Sequence, residues 1–477
     1  MLFHTAQYAL FFAVVLGLSG LLLRHRKARE VMLLVASWIF YAAWNVKYLG
    51  LILFSTALDF IIGAEIHRSK SPHVRKLLLA VSLVGNLGVL GVFKYYGFFV
   101  ENIDALLRLF GLHPSLPALN VILPVGISFF TFQSMSYTID IYRGELEPRK
   151  SLVEFALFVA FFPQLVAGPI VRAREFLPQL DRAPGATSRQ TGTGIYLILK
   201  GLIKKVLIAD TLAVYVVDPV FANPMDYGVL AIAAAIYGFK FQIYNDFSGY
   251  SDIAIGTGRL LGYDFPINFR SPFKAPTITD YWRRWHITMS RWFRDYVFFP
   301  LGGSKGGLGR ICLNTLVTMG LVGLWHGASW TFVVWGCYHG MLLTLSIVKG
   351  YLTARLRPGA AAGPEEWSLA GHFLRVFVVF HLTMIGGLIF RSASLATIGQ
   401  MWTSSTTQGI GPGVSTEFLL LILFAFLLHF TPEMWKAQLE EGFSGLPAVA
   451  QGMIAAVVIG LVATAMSTAQ PYYYFQF

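Results

Sequence analysis

Two histidines of this sequence stand among apolar and aromatic residues, and an imidazole is the side chain best suited to proton transfer at neutral pH. His326 lies in the run GLVGLWHGASWTFVVWGCYHG, and His286 follows a tryptophan in YWRRWHITMS. A neutral imidazole carries one hydrogen-bond donor and one acceptor, so burying it without partners is costly. Each histidine therefore has a structural or a chemical role, and a lone histidine in an apolar segment is more often structural.

The spacing of the histidines argues against several kinds of site. His326 and His339 are 13 residues apart, and His372 and His381 are 9 apart, so on helices each pair lies on largely opposite faces. No HxxxH or HExxH motif suggests a metal or haem site, although ligands from different helices stay an open alternative. No GxSxG motif is present, and Ser329 has no evident acid beside it. By elimination, a catalytic His326 would act as a general base.

The chain is unusually polar between residues 237 and 340. YGFKFQIYNDFSGYSDIAIG sets amide and carboxylate side chains among aromatic residues, and YWRRWH follows it. Such groups are costly in apolar surroundings unless they are paired or face a cavity. A structural polar network, or a Trp- and Arg-rich helix in the membrane interface, is the alternative to a functional role. The candidate substrate-contacting residues are Asn245, Asp246, Trp282, Arg283, Arg284 and Trp325.

Membrane-spanning helices must hold these residues in place. The chain has 477 residues, of which 55% are hydrophobic and 13% charged, and its mean hydropathy is +0.60. A helix crosses the hydrocarbon core with about 20 mostly apolar residues. We therefore predict an all-α integral membrane protein, one polytopic domain over residues 1–477, with about 10–12 transmembrane helices. The candidate spans are 5–23, 31–45, 47–64, 77–99, 121–142, 152–171, 192–216, 227–244, 311–336, 369–390, 415–432 and 447–467.

Two segments suggest irregular or interfacial helices. Residues 152–171 contain AFFPQLVAGPIV, whose two prolines predict a broken or re-entrant segment. Farther along, Trp285 and Trp292 would share one face of a helix whose start Thr277 or Thr279 could cap. A polar loop is expected at 355–368, which is rich in glycine and proline.

The basic residues indicate membrane topology rather than nucleic-acid binding. The net charge of +12 is concentrated in short clusters between apolar runs, such as RHRKAR, HRSKSPHVRK and RGELEPRK. The positive-inside rule explains these clusters and places them in the cytoplasm. The two cysteines, Cys312 and Cys337, are not in CxxC spacing and suggest neither a disulfide framework nor a zinc site.

Four motifs resemble those of the membrane-bound O-acyltransferase family, and they occur in the family's order: FFPQLVAGPI, YNDFSGYSDIAIG, YWRRWHITMSRWFRDYVFFPLGG and GLWHGASWTFVVWGCYHG. The likeness is strongest to bacterial members that acylate exported polysaccharides such as alginate. It implies a multi-helix fold around a central funnel or tunnel, with an essential histidine at the narrow part. That histidine matches His326, and a second polar position, His or Asn in most members, matches His286. Gly327, Ala328 and Ser329 would then leave room for a substrate chain.

The resemblance also implies a reaction and a location. A multi-pass protein of the bacterial inner membrane would move an acetyl group from a cytoplasmic thioester, acetyl-CoA, to hydroxyls of an exported polysaccharide. His326 would be the general base, and His286 would orient the donor or stabilise the oxyanion. A thioester is already activated, so no bound cofactor and no metal are expected.

Expected partners are the polysaccharide acceptor, membrane lipids, and periplasmic or membrane-anchored acyltransferases, but no nucleic acid. One alternative is a subunit that passes the acetyl group across the membrane to a periplasmic acyltransferase. Another is a transporter, which the lack of internal repeat symmetry argues against.

Overall fold

The structure is a computed structural model in which helices, turns and loops make up the described residues, with no strand among them. It describes the whole chain apart from residues 114–115, 118, 120–121, 183–184, 357–366, 412–413 and 474–477. The predicted all-α fold is confirmed. Most of the polar loop predicted at 355–368 lies outside the described residues.

The α-helices follow one another along the whole chain. The first ten are α1 (Ala6–Leu21), α2 (Arg26–Asn45), α3 (Leu49–Arg68), α4 (Pro72–Leu90), α5 (Tyr96–Leu109), α6 (Ile127–Arg143), α7 (Leu152–Ala160), α8 (Phe162–Leu165), α9 (Ala173–Leu180) and α10 (Ser188–Leu202). The others are α11 (Asp218–Ala222), α12 (Val229–Leu260), α13 (Ile278–Arg284), α14 (Ile287–Phe293), α15 (Leu308–His326), α16 (Trp330–Leu356), α17 (Leu369–Arg391), α18 (Leu395–Thr407), α19 (Thr416–Phe430), α20 (Glu433–Ser444) and α21 (Ala448–Thr464).

Short 3-10 and π segments join or extend these helices. The 3-10 turns are Val46–Tyr48, Pro224–Asp226, Pro272–Lys274 and Met466–Thr468. The π segments are Gly91–Tyr95, Ile203–Asp210, Ala213–Val217 and Arg294–Phe298.

Local sequence explains where several helices begin and end. At α4 the Ser71 hydroxyl accepts a hydrogen bond from the backbone N–H of Val74, and Pro72 occupies the first turn, where its missing N–H is harmless. At the C-terminal end of α6, Gly144 adopts a left-handed conformation with φ 76°, which terminates the helix. These boundaries follow from capping chemistry that the sequence shows directly.

Several helices are long and apolar enough to cross a membrane. Within the described residues these are the stretches Arg26–Arg68 and Pro72–Leu109 together with α15, α16 and α17, and a sixth if α19 and α20, bent by 88°, count as one. Arg26–Arg68 covers two of the predicted spans, and α1 and α21 are apolar but shorter. These helices have the length and composition of a multi-pass membrane protein, whereas the count of 10–12 spans stays a prediction.

The span predicted at 311–336 is wrong, because the chain forms two helices there. α15 ends at His326, Gly327 is extended with φ −168° and ψ 152°, and α16 begins at Trp330. The Ser329 hydroxyl accepts a hydrogen bond from the backbone N–H of Thr331 at 3.4 Å and so caps α16. An apolar run alone does not reveal such a break.

The single helix predicted to carry Trp285 and Trp292 is also two helices. Its start is as predicted, because the Thr277 hydroxyl accepts a hydrogen bond from the N–H of Asp280 at 3.1 Å. The helix stops at Arg284, residue 285 is extended, and His286 is left-handed with φ 41° before α14 begins. The two tryptophans therefore lie on different elements, and both are buried. Placement of this region in the membrane interface stays a prediction.

The segment predicted to be broken at 152–171 is confirmed as broken. α7 ends at Ala160, and Phe161, with φ −57° and ψ 111°, turns the chain before the one-turn helix α8. Pro163 lies in the first turn of α8, where its ring and missing N–H are tolerated. Every residue from 155 to 173 is buried, so protein shields this irregular backbone.

The described chain divides into two compact units, one of residues 1–198 and 250–266 and one of 199–249 and 267–473. In the first unit α3, α4 and α6 pack together around the buried carboxylate of Asp59. This carboxylate accepts hydrogen bonds from Ser82 at 2.6 Å, from Asn86 at 2.9 Å and from Ser134. Whether the chain behaves as one membrane domain stays a prediction.

In the second unit α15 and α16 pack against each other closely. Gly323 faces Gly336, and a Cβ built on Gly323 would lie 3.0 Å from the Cα of Gly336 and would overlap the Phe332 carbonyl oxygen. Small residues of this kind let helix backbones approach within membranes. This hairpin carries His326, and the second unit contains every candidate site residue from the sequence.

Candidate active site

His326 is the last residue of α15 and is almost completely buried, with 2% of its surface exposed. Its ring meets the edge of Trp335 at a centroid distance of 4.9 Å and the edge of Phe390 at 5.3 Å. Trp325, its chain neighbour, lies at 4.9 Å. Helices α15, α16 and α17 thus enclose the imidazole in aromatic side chains, which exclude water from it.

His286 is fully buried between α13 and α14. Its ring packs edge-on against Phe247 of α12 at 4.5 Å. The left-handed backbone at this residue is strained by about 1 kcal/mol or more. Asn268 holds that conformation, because its carbonyl accepts the N–H of Ile287 at 2.9 Å and its side chain accepts the hydroxyl of Thr288 at 2.9 Å.

Burial decides the charge of His286. The surrounding apolar rings disfavour an imidazolium ion and lower the pKa of His286 to about 3. The ring is therefore neutral at physiological pH. A neutral imidazole offers one N–H donor and one acceptor nitrogen to a reacting group.

The structure brings the two predicted catalytic histidines together. The centroids of the His286 and His326 rings are 6.4 Å apart, and the Trp325 indole lies 5.7 Å from His286. Ring nitrogens reach about 3 Å to a hydrogen-bond partner, so both imidazoles can contact one reacting group. This geometry allows a base and a hydrogen-bond donor to act on the same bond, while their catalytic roles stay a prediction.

Two predicted substrate contacts on α12 have partners within the protein. The Asn245 amide donates to the carbonyl of Phe241 at 2.8 Å. The Asp246 carboxylate pairs with Lys205 at 2.6 Å and accepts the N–H of Tyr473 at 2.9 Å. All of these side chains are buried and have partners within the second unit, and substrate contact by Asn245 and Asp246 stays a prediction.

The two predicted arginines differ from the predicted tryptophan beside them. Arg283 is exposed, and Arg284 forms an ion pair with Asp280 at 2.7 Å one turn earlier on α13. Trp282 is buried and its ring lies 5.9 Å from that of Trp335. Because Trp335 contacts His326, the structure brings Trp282 into the aromatic cluster around the base.

The room predicted beside His326 is partly filled. A Cβ on Gly327 would overlap the ring of Phe332, so this glycine accommodates an aromatic ring of its own chain. The prediction of open space at Gly327 is wrong, because the extended backbone at this residue turns it towards α16. Ala328 and Ser329 are half-buried.

Sequence reasoning gave no role to two buried polar residues of the same cluster. The sequence spacing of His339 bears only on a metal site, and no sequence motif singles out Lys240. His339 lies on the same face of α16 as Trp335, four residues earlier, and their rings are 5.0 Å apart. The four-residue spacing of Trp335 and His339 predicts a shared helix face. It does not reveal that Trp335 also contacts His326, and that contact is what brings His339 near the candidate site.

No three His, Cys, Asp or Glu side chains of the described ranges are grouped so that they could hold a metal ion. That finding concerns ligand geometry only. The expectation that the reaction proceeds without a metal or bound cofactor stays a prediction.

Comparison with known proteins gives consistent matches. The sequence model of the membrane-bound O-acyltransferase family matches residues 143–361, which include both histidines. The chain is 40% identical to the probable alginate O-acetylase of Pseudomonas putida, over 84% of this chain and 79% of that protein. It is 34% identical to the peptidoglycan O-acetyltransferase of Helicobacter pylori, with coverages of 80% and 76%. Identity to the teichoic acid D-alanyltransferase of Bacillus subtilis is 31%, with coverages of 58% and 71%.

Proposed function

Because the chain belongs to the membrane-bound O-acyltransferase family, we propose that it transfers an acetyl group from cytoplasmic acetyl-CoA to hydroxyls of an exported polysaccharide. Family membership makes the chain an O-acyltransferase, and its apolar helices make it a multi-pass membrane protein. Alginate or a similar polymer is the proposed acceptor, since similar proteins are named for alginate and peptidoglycan. These proteins are bacterial, which supports a place in the bacterial inner membrane.

The observation that carries this proposal is the buried pair His286 and His326, with ring centroids 6.4 Å apart. A sugar hydroxyl has a pKa far above neutrality and attacks a thioester slowly without a base. An imidazole within hydrogen-bond reach of that hydroxyl accelerates the attack by about 10²–10⁴-fold. His326 is the proposed base, because it matches the family's essential histidine in the LWHG motif.

The proposed transfer is balanced in protons and bonds. The acceptor oxygen attacks the acetyl carbonyl carbon while His326 takes the hydroxyl proton. The tetrahedral intermediate then collapses, the carbon–sulfur bond breaks, and the imidazolium of His326 returns the proton to the leaving sulfur. An ester and a free thiol result, and His326 is neutral again.

His286 is the proposed stabiliser of the negative charge on the carbonyl oxygen. Its ring is neutral, so its N–H can donate a hydrogen bond without first losing or gaining a proton. A fixed donor of this kind contributes about 10²–10³ in rate. Trp325 lies beside both rings and helps to hold them in position.

Purified protein in lipid nanodiscs tests the proposal. With labelled acetyl-CoA and an oligosaccharide acceptor, the wild-type protein should form labelled ester and release one thiol per ester. His326→Ala should lower the rate by about 10²–10⁴-fold at an unchanged protein level. His113→Ala, which alters an exposed loop, is the control and should leave the rate unchanged. Retained activity in His326→Ala would refute the base assignment, and thioester cleavage that yields ester only with a second acyltransferase present would indicate a relay.

A further inference from the structure

A basic hairpin, residues 67–76 with the sequence HRSKSPHVRK, joins α3 to α4 and carries four Lys or Arg side chains. Arg68 pairs at 2.7 Å with Glu65, the acid one turn earlier on α3. Lys70 and Lys76 are exposed, and neither side chain forms an ion pair or a hydrogen bond with a described residue. Two positive charges are thus left without a counter-charge at the end of two apolar helices.

The other two basic clusters of the first unit differ in this respect, because they contain acidic partners. Arg26 of RHRKAR pairs with Glu30 at 2.9 Å, and Arg149 of RGELEPRK pairs with Asp181 at 2.6 Å. The positive-inside rule accounts for the position of all three clusters but not for this difference in pairing. The basic hairpin therefore presents positive charge to a group outside the chain.

Contacts with α6 hold the start of α4 in place. The Arg75 guanidinium donates to the Tyr142 carbonyl at 2.7 Å and lies over the Tyr142 ring, 5.6 Å from its centroid. Ser71 caps the helix, and Pro72 restricts its first turn. The backbone of the basic hairpin is therefore fixed by the protein itself and needs no ligand to order it.

An exposed apolar stripe on α4 begins beside these charges. Four residues at spacings of three and four share one helix face and are 46–72% exposed: Val74, Leu77, Val81 and Val84. His73 precedes Leu77 by four residues, so the basic end and the stripe lie on the same side of the helix. From Val74 to Val84 the helix rises about 15 Å, which is one leaflet's half of the roughly 30 Å hydrocarbon core.

We propose that the basic hairpin and the α4 stripe together bind an anionic phospholipid, with its phosphate beside Lys70 and Lys76 and an acyl chain along the stripe. Ammonium groups attract phosphate oxygens as point charges, and lysines beside a membrane-spanning helix attract anionic lipid surfaces. A soluble anion would use the two charges only. A phospholipid matches both parts, because it joins a charged end to an apolar chain one leaflet long.

Native mass spectrometry of the full chain in detergent tests this site with phosphatidylglycerol and phosphatidylcholine of the same acyl chains. The wild type should bind phosphatidylglycerol at least about tenfold more tightly. The double variant Lys70→Gln, Lys76→Gln should bind it about 10–30-fold more weakly than the wild type, with phosphatidylcholine binding unchanged. The double variant Lys70→Arg, Lys76→Arg keeps both charges and should retain the preference.

The matched control is the double variant Lys349→Gln, Arg355→Gln, which removes two exposed charges from the last turns of α16. It should keep the wild-type preference. An equal loss in this control would show a general attraction of charge and overturn the site. Equal affinity of the wild type for the two lipids would overturn it as well.

Two competitors distinguish the phospholipid from other anions. Glycerol phosphate, a soluble analogue of the headgroup, should not displace phosphatidylglycerol, because it cannot contact the α4 stripe. Its displacement of the lipid would assign the charges to a free anion and overturn the site. Binding of a polyglutamate peptide that depends on Lys70 and Lys76, without a preference between the two lipids, would assign the basic hairpin to an acidic protein instead.

Melting temperatures in detergent without added lipid separate folding from binding. All three double variants change exposed side chains and should melt as the wild type does. A lower melting temperature of Lys70→Gln, Lys76→Gln with unchanged lipid preference would assign these lysines to the fold and overturn the site. None of these measurements needs acetyl transfer, so failure of the lipid site and failure of the proposed function are distinguishable.

Discussion

His286 combines complete burial with a left-handed backbone, and these two properties together limit which residue can stand at this position. A φ of 41° suits glycine, and among other residues asparagine, aspartate and histidine adopt it most readily. Of these, only asparagine and histidine offer a neutral N–H donor without adding a negative charge. The resemblance to the family implied His or Asn here, and the backbone supplies a physical reason for that choice.

The activity of His286 variants should therefore depend on whether the new side chain can donate a hydrogen bond and on whether its backbone tolerates the left-handed conformation. We expect His286→Asn to keep activity within about tenfold of the wild type, since its amide can donate and its backbone tolerates the left-handed region. His286→Ala has no donor and should lose about 10²–10³-fold. Initial rates of ester formation at matched protein levels measure this, and equal losses in the two variants would contradict an oxyanion role.

Acidification should destabilise the protein through His286. Its folded-state pKa of about 3 lies below the ordinary value near 6.5, so the unfolded chain binds the proton first. Stability is complete above about pH 6.5 and falls by roughly 1 kcal/mol per pH unit as the pH drops towards 3. Melting temperatures of the wild type and His286→Asn between pH 7 and 4.5 report this, and the variant should lose less. Parallel curves would show that His286 does not titrate in this way.

The sequence identifies the two histidines as candidate site residues, but it does not predict that their rings lie close together. His286 and His326 are 40 residues apart, and no local periodicity links them, because their contact depends on how α13, α14 and α15 pack. Family motifs filled that gap. Lys240 and His339 had no such help, since a lone polar residue in an apolar run reveals neither its neighbours nor the absence of a counter-charge.

At the scale of helices, hydropathy located the apolar runs well and their breaks poorly. α1, α17, α19 and α21 lie close to predicted spans, whereas the run at 311–336 hides the end of α15 and the start of α16. A break changes backbone conformation over three residues without lowering the mean hydropathy. The cap formed by Ser329 and the extended conformation of Gly327 can be recognised only once the bounds of the two helices are known.

The close approach of α15 and α16 predicts an asymmetric response to two glycine substitutions. Gly323→Ala places a methyl group against the Phe332 carbonyl and Gly336, and should destabilise the protein by about 1–3 kcal/mol. Gly320→Ala, one turn earlier, meets no atom within 4 Å and should be neutral or slightly stabilising, because alanine favours helix. Melting temperatures in detergent and activity decide the matter; equal behaviour of the two variants would contradict this packing.

At the scale of the whole chain, a buried ionic network joins distant segments of the second unit. Lys205 pairs with Asp210 at 2.7 Å and with Asp246 at 2.6 Å, and all three side chains are at most 3% exposed. Asp246 also accepts the N–H of Tyr473, 227 residues farther along the chain. No sequence pattern connects such positions, so the sequence predicts substrate contact for Asp246 without revealing that it also pairs with Lys205 and Tyr473.

Removing the Asp246 carboxylate should lower the free energy of unfolding. Asp246→Ala leaves Lys205 with one acid and the Tyr473 N–H without its acceptor, and should cost about 2–4 kcal/mol. Asp246→Asn keeps an acceptor and should cost less, and Asp181→Asn, in an exposed ion pair, should cost about 0–1 kcal/mol. Melting temperatures and membrane levels provide the comparison. A changed KM with unchanged stability in Asp246→Asn would support the predicted substrate contact and contradict a mainly structural role.

The same network imposes an order on biogenesis. Lys205, Asp210 and Asp246 leave the ribosome and enter the membrane long before the residues around Tyr473 that complete their bonding. Throughout that interval Lys205 lacks its bond to the Pro471 carbonyl and Asp246 lacks its bond to the Tyr473 N–H. The incomplete second unit is therefore expected to be less stable and more accessible to chaperones and proteases. A chain terminated before residue 470 would keep the defect permanently, because it would lack both the Pro471 carbonyl and the Tyr473 N–H.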